Sequence, residues 1–326
     1  MKRISMMAIM PFVCFAAIAC GQTQNSKEAA VQEESAPTKT PAKVYMVKEI
    51  TPENLVRIYE ALGRPATGKV AVKLSTGEPG GNNFLQPALI KDLVQKVNGT
   101  IVECNTAYGG GRAKTADHGF TAIANVDIMD ADGEVALPVK GGKHLNEDFV
   151  GSHYPNYDFT MVLSHFKGHA MGGFGGAVKN ISIGIASSSG KAWIHSAGKT
   201  KKTSEMWGNL PPQDDFLESM AEAAKAVAEH CGEHILYISV ANNLSVDCDC
   251  DAHPEAPKMG DIGILASLDP VALDQACVDL VYASEDPGKV HLIERMESRH
   301  GIHTLEHGEA IGLGSRTYEL IDLDKK

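Results

Sequence analysis

Short aliphatic and β-branched runs alternate with amphipathic stretches along most of this chain. Strands are expected over residues 43–50, 70–74, 100–104, 159–164, 234–240, 262–267 and 318–323. The runs 159–164, 234–240 and 262–267 are mostly apolar rather than alternating, as strands covered on both faces are. Helical spacing predicts helices over 52–62, 84–97, 114–126, 214–231, 270–282, 289–300 and 304–311. Thr51 and Asp269 stand where N-caps belong, each followed by a proline in the first turn. Residues 127–156 read as short strands and loops. The alternation predicts an α/β fold, a mostly parallel sheet with flanking helices. The pattern also allows two sub-domains dividing near residues 200–212, with the site between them.

The amino terminus departs from this pattern. Lys2 and Arg3 precede an apolar run over residues 4–19, which is too short and too early for a spanning helix and reads as a signal peptide. It closes Ala17-Ile18-Ala19-Cys20-Gly21, similar to a bacterial lipobox with alanine in place of the usual leucine. On that reading residues 1–20 are the signal and Cys20 carries a lipid that anchors the protein to a membrane of the cell envelope. The alternative is an ordinary cleaved signal with an incidental cysteine. Residues 21–42 are rich in Gln, Glu, Ser, Thr, Ala and Pro and lack apolar bulk, so a flexible tether is expected before an α/β body over 43–326.

Net charge changes the list of partners. The chain of 326 residues carries −11 at neutral pH, which repels phosphate backbones and argues against nucleic acid. Of seven cysteines, Cys14 and Cys20 belong to the leader, leaving an odd number in the body, a poor disulfide framework. Cys104, Cys231 and Cys277 lie among apolar residues and suit a core. Cys248 and Cys250 lie in Asp247-Cys248-Asp249-Cys250-Asp251 with His253 close by, a set of soft and hard donors for a divalent metal ion. A local disulfide and an inert acidic loop are the alternatives.

The densest chemistry lies in residues 164–196, which hold three histidines, three lysines and clustered glycines. A strand end followed by glycines and a lysine brings backbone N–H groups and an ammonium onto an anionic ligand. The glycine spacing is neither a dinucleotide fingerprint nor a phosphate loop. The bland alternative is a glycine-rich packing turn with solvated histidines. Asp274 and Asp279 fall within a helix and are assigned first to helix salt bridges. His291, His300, His303 and His307 are assigned to a solvated face.

The strings SHFKGHAMGGFGGAVKN, YGGGR, DCDC and DIGILASLDPVALDQACVDL resemble the domain-of-unknown-function family 362, over roughly residues 43–323. That family is described as iron–sulfur-centre proteins, and many members carry a ferredoxin-like insert with repeated CxxC spacing. No CxxC occurs here, so an iron–sulfur cluster does not transfer with the resemblance. More distantly, His169, Gly175-Gly176, Lys179 and His195 resemble a motif of the nickel-pincer lactate racemase family. That resemblance implies that Lys179 tethers a nickel-pincer nucleotide, His195 helps hold the metal, and His169 is an acid/base. The family's second acid/base histidine would fall in Gly109-Gly110-Gly111-Arg112, where this chain has glycine, and its early arginine motif is replaced by Ser75-Thr76-Gly77-Glu78-Pro79. Two-base racemisation is therefore not implied. An exported chain threaded unfolded across a membrane would also leave a cytoplasmic nucleotide or cluster behind, whereas a simple divalent ion can be acquired outside.

Three functions follow as expectations. The first is a metal- or cofactor-dependent enzyme acting on a small anionic substrate through His169, Lys179 and His195. Gly175, Gly176, Lys179, Arg112 and Glu78 would contact cofactor or substrate, and His195, Cys248, Cys250 and His253 would hold metal. The second is a non-catalytic lipoprotein that binds a metal or small anion in the same pocket. The third is electron transfer through a cysteine-bound centre, which the missing ferredoxin insert disfavours.

Overall fold

The structure, a computed structural model, describes residues 40–108 and 118–325. The chain divides into Met1–Thr40 and Pro41–Lys326, and every described element lies in the second unit. Its elements begin β1 (Ala42–Val47), α1 (Pro52–Ala61), β2 (Val70–Lys73), α2 (Pro87–Lys96), β3 (Thr100–Glu103), β4 (Val126–Ile128), β5 (Glu134–Pro138), β6 (Glu147–Gly151), β7 (Phe159–His165), β8 (Lys167–His169) and β9 (Gly173–Gly175). There follow α3 (Ala177–Ser182), α4 (Ser188–His195), α5 (Gln213–Cys231), β10 (Ile235–Ala241), β11 (Gly263–Ser267), α6 (Pro270–Ala283), α7 (Lys289–Ser298), α8 (His303–Ala310) and β12 (Tyr318–Asp322).

Eight of these strands form one sheet in the order β12-β1-β11-β10-β7-β2-β3-β4. All its pairs are parallel except those of β11, which runs against both β10 and β1. The expected α/β class is therefore present, with one reversed strand. Alternation along each strand sends side chains to opposite faces. Val70, Val72, Leu236 and Ile238 pack with Leu55, Ile58 and Leu93 of α1 and α2. Ala71, Ile235 and Tyr237 pack on the other face with Leu217 and Ala224 of α5 and Val271 and Ala276 of α6. The segment 200–212, which contains a 3-10 stretch at Thr203–Asn209, links elements that pair directly, since β7 before it is parallel to β10 after it.

Local rules account for most boundaries. Thr51 Oγ1 accepts from Asn54 N, and Asp269 Oδ1 accepts from Val271 N and Ala272 N, so both expected caps form. The helix expected over 114–126 is not found in its described part. Gly119 takes φ +99°, which ends helical propagation, and the chain makes one 3-10 turn at Phe120–Ala122 before entering β4. Among the described residues, no helix is long and apolar enough to cross a membrane.

Candidate functional site

The sheet order places a topological switch point between β2 and β7. From β2 the chain proceeds outward through β3 and β4, and from β7 it proceeds the other way to β10. Loops diverge at such a point and leave a crevice at the carboxyl ends of the strands, where α/β proteins bind ligands. A cavity of about 350 Å³ opens there. Lys73 closes β2, Glu103 closes β3 with Cys104 just beyond it, and Ser164 and His165 end β7. Asn180 spans the gap, its Nδ2 donating to Lys73 O at 3.2 Å and to Ser164 Oγ at 3.1 Å.

Among the described residues, the cavity wall carries four lysines, three of them buried and Lys179 half-buried. Lys73, Lys167, Lys179 and Lys191 all line it. Lys73 Nζ is paired with Glu103 Oε2 at 2.9 Å, and Glu103 Oε1 also accepts from Thr76 N. Behind Lys167 lies Asp249, 2.9 Å from Lys167 Nζ and 2.9 Å from His165 Nδ1, with all three side chains almost wholly buried. Burial opposes the Asp249 charge, but His165 and Lys167 outweigh it and hold the carboxyl well below the usual range. Burial also lowers the Lys191 ammonium, whose Nζ donates to Ala186 O at 2.5 Å. Glu103 and Asp249 offset the charges of Lys73 and Lys167, and Asp247 and Asp251 also line the wall, so the positive field that an anionic occupant would meet comes from the side of Lys179 and Lys191.

Asp148 lies deeper, on β6. It is fully buried, and its oxygens lack a hydrogen-bond partner among the described residues. Burial, outweighing the attraction of Lys191, pushes its carboxyl up to about 8. The folded protein therefore keeps this proton between pH 4 and 8 while the unfolded chain releases it, so stability falls as pH rises through that window. At about 1.4 kcal/mol per pH unit, the effect amounts to several kcal/mol. Urea melts of Asp148→Asn at pH 5 and pH 8 should show this fall removed; an unchanged slope would assign it to other groups.

Two histidines face the cavity with opposite ring assignments. His169 Nδ1 accepts from Gly172 N at 2.8 Å, and burial, reinforced by Lys179, His195 and Lys167, pushes its pKa well below the usual value. A neutral ring that accepts at Nδ1 carries its proton on Nε2. His195 ends α4, stacks on Phe216 with ring centroids 5.0 Å apart, and is pushed by burial to about 4. Its Nδ1 lies 2.7 Å from Lys191 O, and a carbonyl can only accept, so Nδ1 carries the proton and Nε2 keeps its lone pair. His169 can thus donate from Nε2, and His195 can ligate or accept there.

The cysteine loop enters the same cavity. Gly168 makes this possible: its N–H donates to Ser245 O at 2.8 Å, and a Cβ there would lie 2.1 Å from Val246 O. The loop after β10 thereby lies against β8 and carries Cys248 and Cys250 to His169, the donor atoms of all three falling within 4.8 Å of one another. In this structure the two sulfurs are joined in a disulfide, S–S 1.97 Å, one of the alternatives left open by the sequence. They could ligate a metal with His169 only after reduction.

The structure brings His169, Gly175, Gly176, Lys179, His195, Cys248 and Cys250 to one cavity. It does not bring the other expected residues there. His253 is exposed and outside the wall. Glu78 is buried behind Tyr108, whose hydroxyl donates to Glu78 Oε1 at 2.9 Å, so Tyr108 rather than Glu78 meets the cavity. Arg112 lies outside the described residues. Sequence reasoning missed Lys73 and Glu103, and it took Asp249 for a metal donor where the structure makes it an ion-pair partner of His165 and Lys167. Their signal was a charge at the last position of an apolar run, or between two cysteines, where a solvated side chain was not required.

The family model described as Domain of unknown function (DUF362) matches residues 70–279. No functionally curated protein matches the chain. Among solved structures, the lactate racemase apoprotein from Thermoanaerobacterium thermosaccharolyticum is similar at 14% identity and TM-score 0.38, covering 61% of this chain and 50% of that one. A structural-genomics protein from Thermotoga maritima is similar at 12% identity and TM-score 0.40, covering 72% of this chain and 60% of that one. This chain therefore matches only about half to three-fifths of either neighbour's length.

Proposed function

The chain belongs to the DUF362 family, and from its cavity we propose a metal- or cofactor-dependent enzyme acting on a small anionic substrate. The observation that carries this reading is the pair of neutral histidines with opposite free groups, N–H on His169 and a lone pair on His195, in a wall of four lysines. The lysines draw in a carboxylate or similar anion. His169, kept neutral by its low pKa, takes the substrate proton at Nε2 only in the other tautomer, in which Nδ1 gives up Gly172 N and carries the ring proton. His195 Nε2 is the position for a metal, and Lys179 on α3 contacts the anion or tethers a cofactor. These two residues fit the nickel-pincer nucleotide implied by the racemase resemblance, and also fit a divalent ion acquired at the envelope. Either group would supply an electron-withdrawing centre beside the substrate. The protein would work at the envelope, held there through Cys20.

The experiment is α-carbon deuterium exchange into small 2-hydroxy carboxylates, followed by NMR in D2O, with metal-supplemented protein purified from its native envelope. Exchange is expected, and His169→Gln should slow it by about a hundredfold or more. Intact mass reports whether Lys179 is modified. Binding of the carboxylate without exchange would replace the enzyme by the metal- or anion-binding lipoprotein.

A further inference from the structure

Cys248 and Cys250 line the cavity as a disulfide, and the chemistry proposed for its histidines makes no use of that bond. A disulfide stabilises a fold mainly by restricting the unfolded chain, and the gain grows with the loop that it closes. This one joins residues two apart in sequence, so the gain is small. The loop is also held without it. Asp249 is paired with His165 and Lys167. Arg295 Nη1 donates to Val246 O at 2.6 Å and to Asp247 Oδ1 at 3.1 Å. Asp251 N donates to Cys248 O at 2.9 Å, and Glu255 N donates to Asp247 Oδ2 at 3.0 Å. Opening the S–S bond therefore leaves the loop anchored before, between and after the two sulfurs.

Position separates this pair from the other cysteines of the body. Cys277 is wholly buried, and Cys231 lies against Tyr154 and Thr160. Cys104 shares the cavity wall, but its thiol donates to Ile185 O at 3.2 Å and is pushed by burial up to about 12. The two joined sulfurs are themselves unequal. Cys248 is 4% exposed, whereas Cys250 is half-buried. Cys248 Sγ accepts from Cys250 N at 3.1 Å, a donor that would steady negative charge on that sulfur.

We propose that Cys248–Cys250 is a redox-active disulfide that accepts two electrons from a low-molecular-weight thiol entering the cavity. The thiol gives its proton to water, and its thiolate attacks Cys250, the more accessible sulfur. A bond forms between the reductant and Cys250 as the Cys248–Cys250 bond breaks. The electron pair leaves on Cys248, where Cys250 N already donates, and water then protonates it. A second thiolate attacks the reductant's own sulfur in the mixed disulfide. Cys250 departs as a thiolate and takes a proton from water. Two small thiols are thus oxidised to one disulfide while the protein's disulfide is reduced to two thiols. A cavity of about 350 Å³ with the sulfurs in its wall admits a small molecule rather than a protein loop. The positive side at Lys179 and Lys191 suits a thiol that carries a carboxylate. The step needs neither the metal nor the proton exchange proposed for the same cavity.

The test uses the full chain, stripped of metal with a chelator and equilibrated in glutathione buffers of graded redox poise. Free thiols are trapped by alkylation of the folded protein and assigned by peptide mass. Cys248 and Cys250 should become labelled together, in one two-electron step, while Cys104, Cys231 and Cys277 stay unlabelled. The reduced protein should melt close to the oxidised one. Given oxidised glutathione, Cys248→Ser should accumulate the mixed disulfide on Cys250, and Cys250→Ser should form it on Cys248 at least about tenfold more slowly. The proposal fails if the disulfide resists excess glutathione until the chain unfolds, if reduction abolishes the fold, or if both variants take up glutathione at equal rates.

Discussion

Asp249→Ala is expected to destabilise the protein by about 3–5 kcal/mol, the range for removing one partner of a buried ion pair. The reason is what remains. Lys167 and His165 stay in place, almost fully buried, and Asp249 is the carboxylate that faces both. Lys167 Nζ keeps one carbonyl, His165 O at 2.9 Å, which does not neutralise it. Two checks separate this cause from loss of packing. Adding Lys167→Met should recover part of the loss, because the stranded ammonium goes with it. The acid limb of stability should also change. The parent carboxyl is held below its unfolded value, so its contribution is present above about pH 4 and fades as pH falls below it. That fade should be absent in the variant. Urea melts at pH 7 and along the acid limb measure both; a variant within about 1 kcal/mol of the parent would show that the pair holds nothing together. Because Asp249 lies between Cys248 and Cys250, its loss should also free the cysteine loop from the cavity.

The sheet was legible because its strands carry their own signal. Runs such as 159–164 and 234–240 are mostly apolar, and burial on both faces explains why. The helices α3 and α4 were less legible. They are short, and their residues, among them Ser182, Asn180 and Lys191, are buried through hydrogen bonds that no periodicity announces. The cavity's histidines and Lys179 stood out by density in one stretch. Lys73 and Glu103 did not, because a buried ion pair across two strands looks, in sequence, like two unrelated charges thirty residues apart. Asp274 was assigned to a helix salt bridge and instead accepts from Ala177 N and Val178 N, capping α3 from α6. His303 and His307 were assigned to solvent and instead face Glu218 and Glu222. In each case the missed partner lies on another element, and only the packing supplies it.

The two glycines before Lys179 should respond oppositely to alanine, although sequence reasoning gave them the same role. A Cβ on Gly175 would meet Lys179 Cδ at 3.7 Å, an ordinary contact within the cavity wall. A Cβ on Gly176 would lie 2.2 Å from Asp274 Oδ1 and 2.6 Å from its Cγ, closer than atoms can approach. The Asp274 carboxylate cannot retreat freely, since it holds Ala177 N at 2.7 Å and Val178 N at 2.9 Å, the first N–H groups of α3. Those groups have no partner within the helix, and a lost cap costs about 0.5–2 kcal/mol. Stranding the buried carboxyl, already pushed by burial to about 7, adds about 1–3 kcal/mol. Gly176→Ala should therefore lose about 2–5 kcal/mol and displace α3, which carries Lys179 and Asn180. Gly175→Ala should melt within about 1 kcal/mol of the parent and show its defect in ligand binding, because its methyl group fills space beside Lys179. Thermal melts paired with carboxylate binding measure both. Equal melting of the two variants would mean that Asp274 does not fix the turn, and unchanged binding by Gly175→Ala would place the anion away from Lys179.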